Sequence, residues 1–140
     1  AGLRIGYGIS RPEVVDYVNR VRQPFNTSLP AQQAALAALS DDAHVSRSLK
    51  VNREGKEYLY RQFDAIGISY LPTETNFIYF DLKGSDPALG QKVYRALLRK
   101  GVIIRHLAGA RLRVTIGLPR ENRRFVKSLR EVLKTLNVIR

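Results

Sequence analysis

The sequence has no cysteine, which excludes a disulfide framework and any thiolate metal site. That absence fits a reducing compartment, so a cytoplasmic location is expected. Histidine occurs only twice, at His44 and His106, too far apart in the chain for zinc-ligand spacing, and no metal is expected. No serine stands on a strand-to-helix elbow and no carboxylate pair sits at strand ends, so a nucleophilic triad is excluded as well. Neither a G-x-G-x-x-G nor a Walker loop occurs. No apolar run reaches the ~18 residues of a membrane span, and no membrane association is expected. Methionine is missing too: the first residues are Ala-Gly-Leu-Arg-Ile-Gly-Tyr-Gly, which opens in the middle of a strand-like run, Leu3–Ile9. A lone strand cannot satisfy its backbone donors. The N-terminal part of the fold is therefore expected to lie before Ala1. Read alone, these residues contain no autonomous active site.

What the chain does have is positive charge: 24 Lys and Arg against 12 Asp and Glu, a net +12. Such a balance is one mark of nucleic-acid binding. Here, however, the basic residues scatter through helical segments without a tail, a tract or a recognition motif. Solvated faces with anion sites for small phosphates are the preferred reading, with no nucleic-acid partner. A basic RNA- or DNA-binding domain is the alternative from another class, and a catalytically empty domain used for contacts is a third. At 140 residues and 44% hydrophobic, the chain can bury one modest core.

The pattern begins with helices. Pro12 starts a short one after Ser10 as a possible cap, ending near Gln23-Pro24. Pro30 starts an alanine-rich second helix. Asp41 and Asp42 cap a longer helix running to about Ile66, with Leu49, Tyr58, Leu59, Phe63 and Ile66 as its buried stripe and Gly67 as its stop. The period then changes to strands at Ile68–Leu71 and Asn76–Leu82. Asp86-Pro87 opens a helix with Leu89, Val93, Ala96 and Leu97 on one face, ended by Gly101. Strands at Val102–Leu107 and Leu112–Gly117 flank Ala108-Gly109-Ala110, and a last helix from Pro119 buries Phe125, Leu129, Val132 and Leu136. The order predicts an α/β two-layer domain, a short sheet covered by helices and preceded by a strand and a long helix.

Arginines at strand positions carry what chemistry there is. Arg4 lies in an otherwise apolar run with Gly6 and Gly8 beside it; it must snorkel, pair with a carboxylate or hold an anion. Arg105 and Arg113 sit on strands joined by a short glycine-containing turn, and register decides their meaning. With Leu107 opposite Leu112 they point to opposite faces. With Leu107 opposite Arg111 they face each other, a like-charge pair that a bridging dianion makes tolerable. Two solvated edge arginines are the plainer alternative.

These residues also carry a family resemblance. Leu3-Arg4-Ile5-Gly6-Tyr7 resembles the stretch after the cofactor lysine in pyridoxal-phosphate aminotransferases of the aspartate-aminotransferase fold type (fold type I). Gly101-Val-Ile-Ile-Arg105 followed by Leu112-Arg113-Val-Thr-Ile-Gly117 resembles the end of the histidinol-phosphate aminotransferases, and Thr75-Asn76-Phe77 resembles the family's Asn-Phe strand. The resemblance implies that residues 1–30 are the tail end of the large cofactor-binding domain and 31–140 the connecting helix plus small domain. It implies pyridoxal 5'-phosphate as cofactor, with Arg4 on its phosphate and the Schiff-base lysine four positions upstream of Ala1, so that no catalytic residue lies in this stretch and the fragment alone is inactive. It implies Arg105 and Arg113 as the substrate-phosphate site, Asn76 as mainly structural, and Tyr7 close to Arg4. The implied enzyme is a homodimer converting histidinol phosphate and 2-oxoglutarate to imidazole-acetol phosphate and glutamate in histidine biosynthesis. A phosphothreonine-type decarboxylase or an aromatic aminotransferase is the alternative within the fold. One departure stands out: the loop between the two arginines, 106–112, is short.

Overall fold

A computed structural model of the chain describes residues 2–83 and 86–139. They divide into two compact units, parting between Ser46 and Arg47. The first holds α1 (Pro12–Val21) and α2 (Leu29–Leu39), and α3 (Asp42–Ala65) begins in it. α1 starts with Pro12 at its first turn after Arg11 in extended conformation, and no side chain caps it; Ser10 does not serve. α2 is capped by Ser28, whose hydroxyl accepts the Ala31 amide, and α3 by Asp41, whose carboxylate accepts the His44 amide at 2.9 Å.

The expected strand Leu3–Ile9 does not form. Gly2 and Leu3 make a turn, 4–9 lack regular structure, and Arg4 adopts a left-handed φ of 59°. The physical reason is the one a lone strand always meets: none of the described strands pairs with it.

The second unit is the two-layer α/β domain that the pattern predicts. Its strands are β1 (Ser69–Tyr70), β2 (Phe77–Asp81), β3 (Arg105–Ala108) and β4 (Arg111–Thr115), in the order β1-β2-β4-β3 with every neighbour antiparallel. The helix α4 (Leu89–Arg99) carries the chain from β2 to β3, and β4 then inserts between them, a split β-α-β arrangement. α5 (Pro119–Thr135) follows. Alternation along the strands puts Ile78, Phe80, Leu112 and Val114 on the helix side. There they meet Leu59 and Phe63 of α3, Val93 and Leu97 of α4, and Phe125, Leu129 and Leu133 of α5 in one core. The rings of Phe63, Phe80 and Phe125 touch one another, at centroid separations of 5.1 to 6.2 Å. Leu49, expected in the buried stripe, is exposed; the burial of α3 begins further along the helix, at Gly55.

At Gly55, α3 lies close against the β4–α5 connection and the first turn of α5. A Cβ there would lie 2.6 Å from Ile116 Cγ2 and 2.9 Å from the Asn122 amide nitrogen. That amide is buried and closes on the Gly117 peptide, accepting from its N–H and donating to its carbonyl, both at 2.9 Å. α3, α4 and α5 end alike, in Schellman turns. Gly67, Gly101 and Asn137 take the left-handed residue, and the next amides, of Ile68, Val102 and Val138, return to Phe63, Leu97 and Leu133. Each of those following residues then packs on the core.

α4 is also tied to α5 by an ion pair, Lys100 Nζ to Glu131 at 2.7 Å. The hydrogen bond, and then the ammonium charge, hold the Glu131 carboxyl below the usual glutamate range. A carboxyl depressed in the folded state contributes stability above its unfolded pKa and loses it as pH falls through the folded value. Lys100→Met is therefore expected to return the Glu131 titration upward toward an ordinary glutamate, with little effect on stability at neutral pH because both groups are exposed. Carboxyl NMR titration of the two proteins checks this; an unchanged Glu131 would show that the pair does not form.

Candidate functional site

The face of the sheet turned away from the helices carries the arginines. Along β2 it presents Phe77, Tyr79 and Asp81, along β4 Arg111, Arg113 and Thr115, and on β3 Arg105. Arg105 stands directly opposite Arg113, as in the second of the two expected registers, but Leu107 does not stand opposite Arg111 as that register requires. His106 stands opposite Leu112, and Ala108 opposite Arg111, so Leu107 is an extra residue, a bulge in the edge strand.

The turn after the bulge is pinned from below. The Gly109 carbonyl accepts the Gly90 amide at 3.1 Å, and His106 Nε2 lies 3.1 Å from the same oxygen. Only glycine fits at position 90, since a Cβ there would fall 2.2 Å from that oxygen. The first turn of α4 thereby fixes the hairpin. His106, one residue from Arg105, works on the opposite face of the sheet.

Arg105 is exposed and Arg113 half-buried. The guanidinium carbon of Arg113 lies 4.5 Å from the centroid of the Phe77 ring. Tyr79 is the β2 residue opposite Arg113, so a single row across the sheet reads Tyr79, Arg113, Arg105. The nearest acid on this face, Asp81, stands opposite Arg111, with 3.9 Å between its carboxylate and the guanidinium Nε. Among the described residues no carboxylate forms an ion pair with Arg105 or Arg113. Two uncompensated, planar, five-donor groups side by side suit a dianion with several acceptor oxygens.

Arg4 lies in the first unit, exposed, between Gly2 and Gly6. Space is open where side chains at Gly2, Gly6 and Gly8 would project. Arginine is a residue type suited to a phosphate group. Tyr7 is exposed. The main-chain carbonyl of Asn76 accepts the Ile116 amide at 2.8 Å, extending the β2–β4 ladder by a contact that any residue there would make. Sequence reasoning assigned nothing to Phe77 or Tyr79. Phe77-Ile78-Tyr79-Phe80 is an unbroken apolar run that marks neither face, and the placement of the two rings beside Arg113 depends on a β2–β4 register that no local signal encodes.

In the second unit, then, helices cover one side of the sheet and the paired arginines stand on the other. The sequence matches the aminotransferase class I and II family over residues 1–129. The chain belongs to that family. It is 52% identical over 137 residues to a histidinol-phosphate aminotransferase of Moorella thermoacetica, covering 95% of this chain and 34% of that protein. It is 49% identical over 138 residues to histidinol-phosphate aminotransferase 1 of Nitrosococcus oceani, covering 96% and 36%. The crystal structure of histidinol-phosphate aminotransferase from Sinorhizobium meliloti in complex with pyridoxal-5'-phosphate superposes with a TM-score of 0.82 at 25% identity, covering 96% of this chain and 38% of that one. The chain thus spans about a third of the length of the curated relatives it matches.

Proposed function

We propose that the chain is the carboxyl-terminal portion of a pyridoxal-phosphate-dependent aminotransferase that takes histidinol phosphate and 2-oxoglutarate to imidazole-acetol phosphate and glutamate, in histidine biosynthesis. The observation that carries the reading is the direct opposition of Arg105 and Arg113 on the open face of the sheet, with no carboxylate partner among the described residues. Like charges so placed destabilise a ladder. A substrate phosphate removes that penalty on binding and gains charge-assisted hydrogen bonds from both groups.

In this reading residues 1–30 close the large domain and 31–140 supply the connecting helix and small domain of a cytoplasmic homodimer without a nucleic-acid partner. Arg4 binds the cofactor phosphate, and its glycine neighbours let the backbone approach it closely. Arg105 and Arg113 hold the substrate phosphate and so fix where its amine lies. When bound, the cofactor supplies the electron sink for breaking a bond at the substrate carbon. The lysine that moves the proton belongs to the preceding segment of the longer polypeptide. These 140 residues therefore anchor and recognise, and alone they are inactive.

In the full-length enzyme, Arg105→Ala or Arg113→Ala should raise the KM for histidinol phosphate about ten- to a hundredfold, the scale of a lost hydrogen bond to a charged group. The KM for histidinol, which lacks the phosphate, should change far less. Steady-state kinetics with both amines checks this, and equal changes would refute phosphate recognition. Phosphothreonine or phenylalanine turned over in place of histidinol phosphate would reassign the enzyme within its fold.

Arg4→Ala should lower retention of the cofactor through gel filtration, read from its visible absorbance. Unchanged occupancy would remove Arg4 from the site.

A further inference from the structure

Building on the phosphate reading of the arginine pair, we propose that Phe77 is a positioning residue that holds the Arg113 guanidinium open for its anion. An arginine beside a second arginine has two poor choices. It either swings away into solvent or recruits a carboxylate, which would occupy the donors a phosphate needs. Among the described residues Arg113 has no carboxylate partner; its guanidinium carbon instead lies 4.5 Å from the centroid of the Phe77 ring. A ring attracts the cation through its face and leaves the N–H groups at the guanidinium edge unspent. It restrains the group without neutralising it.

The placement of the ring adds to this. β4 lies between β2 and β3, so Phe77 is on the side of Arg113 away from Arg105. Attraction toward the ring draws Arg113 from its like-charged neighbour and widens the gap that a dianion would fill. Phe77 is itself firmly held. It pairs with Thr115 in the ladder, and its carbonyl accepts the Thr75 hydroxyl at 3.1 Å. The loop before it is fastened to α3 at three points. The Thr73 amide donates to the Tyr60 hydroxyl at 2.8 Å, Lys56 Nζ donates to the Thr73 carbonyl at 2.9 Å, and the Asn52 amide donates to the Thr75 carbonyl at 3.2 Å. A ring on such a base is a fixed stop for a flexible side chain.

The test uses the full-length, cofactor-loaded enzyme with histidinol phosphate and histidinol as paired substrates. Phe77→Leu is expected to raise the KM for histidinol phosphate about three- to tenfold, the range of a cation–π contact, with kcat, the KM for histidinol and the melting temperature nearly unchanged. Phe77→Tyr, which keeps the ring face, should restore the parent KM. Should Phe77→Leu fail to fold, Phe77→Met offers an unbranched side chain of similar volume for the same comparison. Arg113→Ala is run alongside. If it raises the KM for histidinol phosphate and Phe77→Leu does not, or if Phe77→Leu affects both amines equally, the inference is overturned and the phosphate reading stands. If Arg113→Ala leaves the preference for the phosphorylated amine intact, the phosphate reading falls and this inference with it.

Discussion

Two guanidinium groups set directly across an antiparallel ladder repel one another, and much of the second unit serves to keep them there. Directly opposed side chains have Cβ atoms about 5 Å apart, so Arg105 and Arg113 cannot ignore each other. The opposition is imposed by the backbone. One extra residue at Leu107 lets the hairpin turn tightly while leaving 105 opposite 113, and α4 locks that outcome by docking the Gly90 amide on the Gly109 carbonyl. The small steric demand of one glycine on a helix thus bears on the charge pattern of the opposite face of the sheet.

The core explains why this strain is tolerated. Packing of α3, α4 and α5 on the far side of the sheet provides an apolar layer centred on Phe63, Phe80 and Phe125, and it immobilises β2 and β4, the two central strands. Apart from Arg111–Asp81, on the same face as the arginine pair, the ion pairs described in the unit lie on its helices and loops, where screening makes them minor contributors. The whole excess of positive charge in the sequence also falls in this second unit. That excess favours anions in general; in the proposed function the selective element is the pair, two arginines set in fixed register with no carboxylate partner among the described residues.

Elements that announce themselves locally were readable in the sequence. α4 and α5 show an apolar face at helical spacing, β2 is dense in aromatic and β-branched residues, and Gly67 and Gly101 mark left-handed helix ends. What the sequence could not show depends on partners far along the chain. Leu3–Ile9 has strand composition but no ladder among the described residues, so it stays irregular. Leu49 has the spacing of a buried residue, yet it lies ahead of the point where α3 meets the sheet, and it is exposed. The hairpin register hinged on a bulge fixed by contact with α4, and the ring beneath Arg113 hinged on the pairing of β2 with β4. Neither has a signature in the hairpin itself. The arginines were legible as residues of interest, whereas their geometry was a product of the fold.

The most direct measurement of the central claim is an arginine-selective NMR titration of the full-length enzyme with inorganic phosphate, following the guanidinium Nε–H signals. The account predicts that the signals of Arg105 and Arg113 shift together along a single binding curve, ahead of those from the exposed arginines of α4 and α5. Independent curves for the two, or shifts confined to the helical arginines, would contradict it.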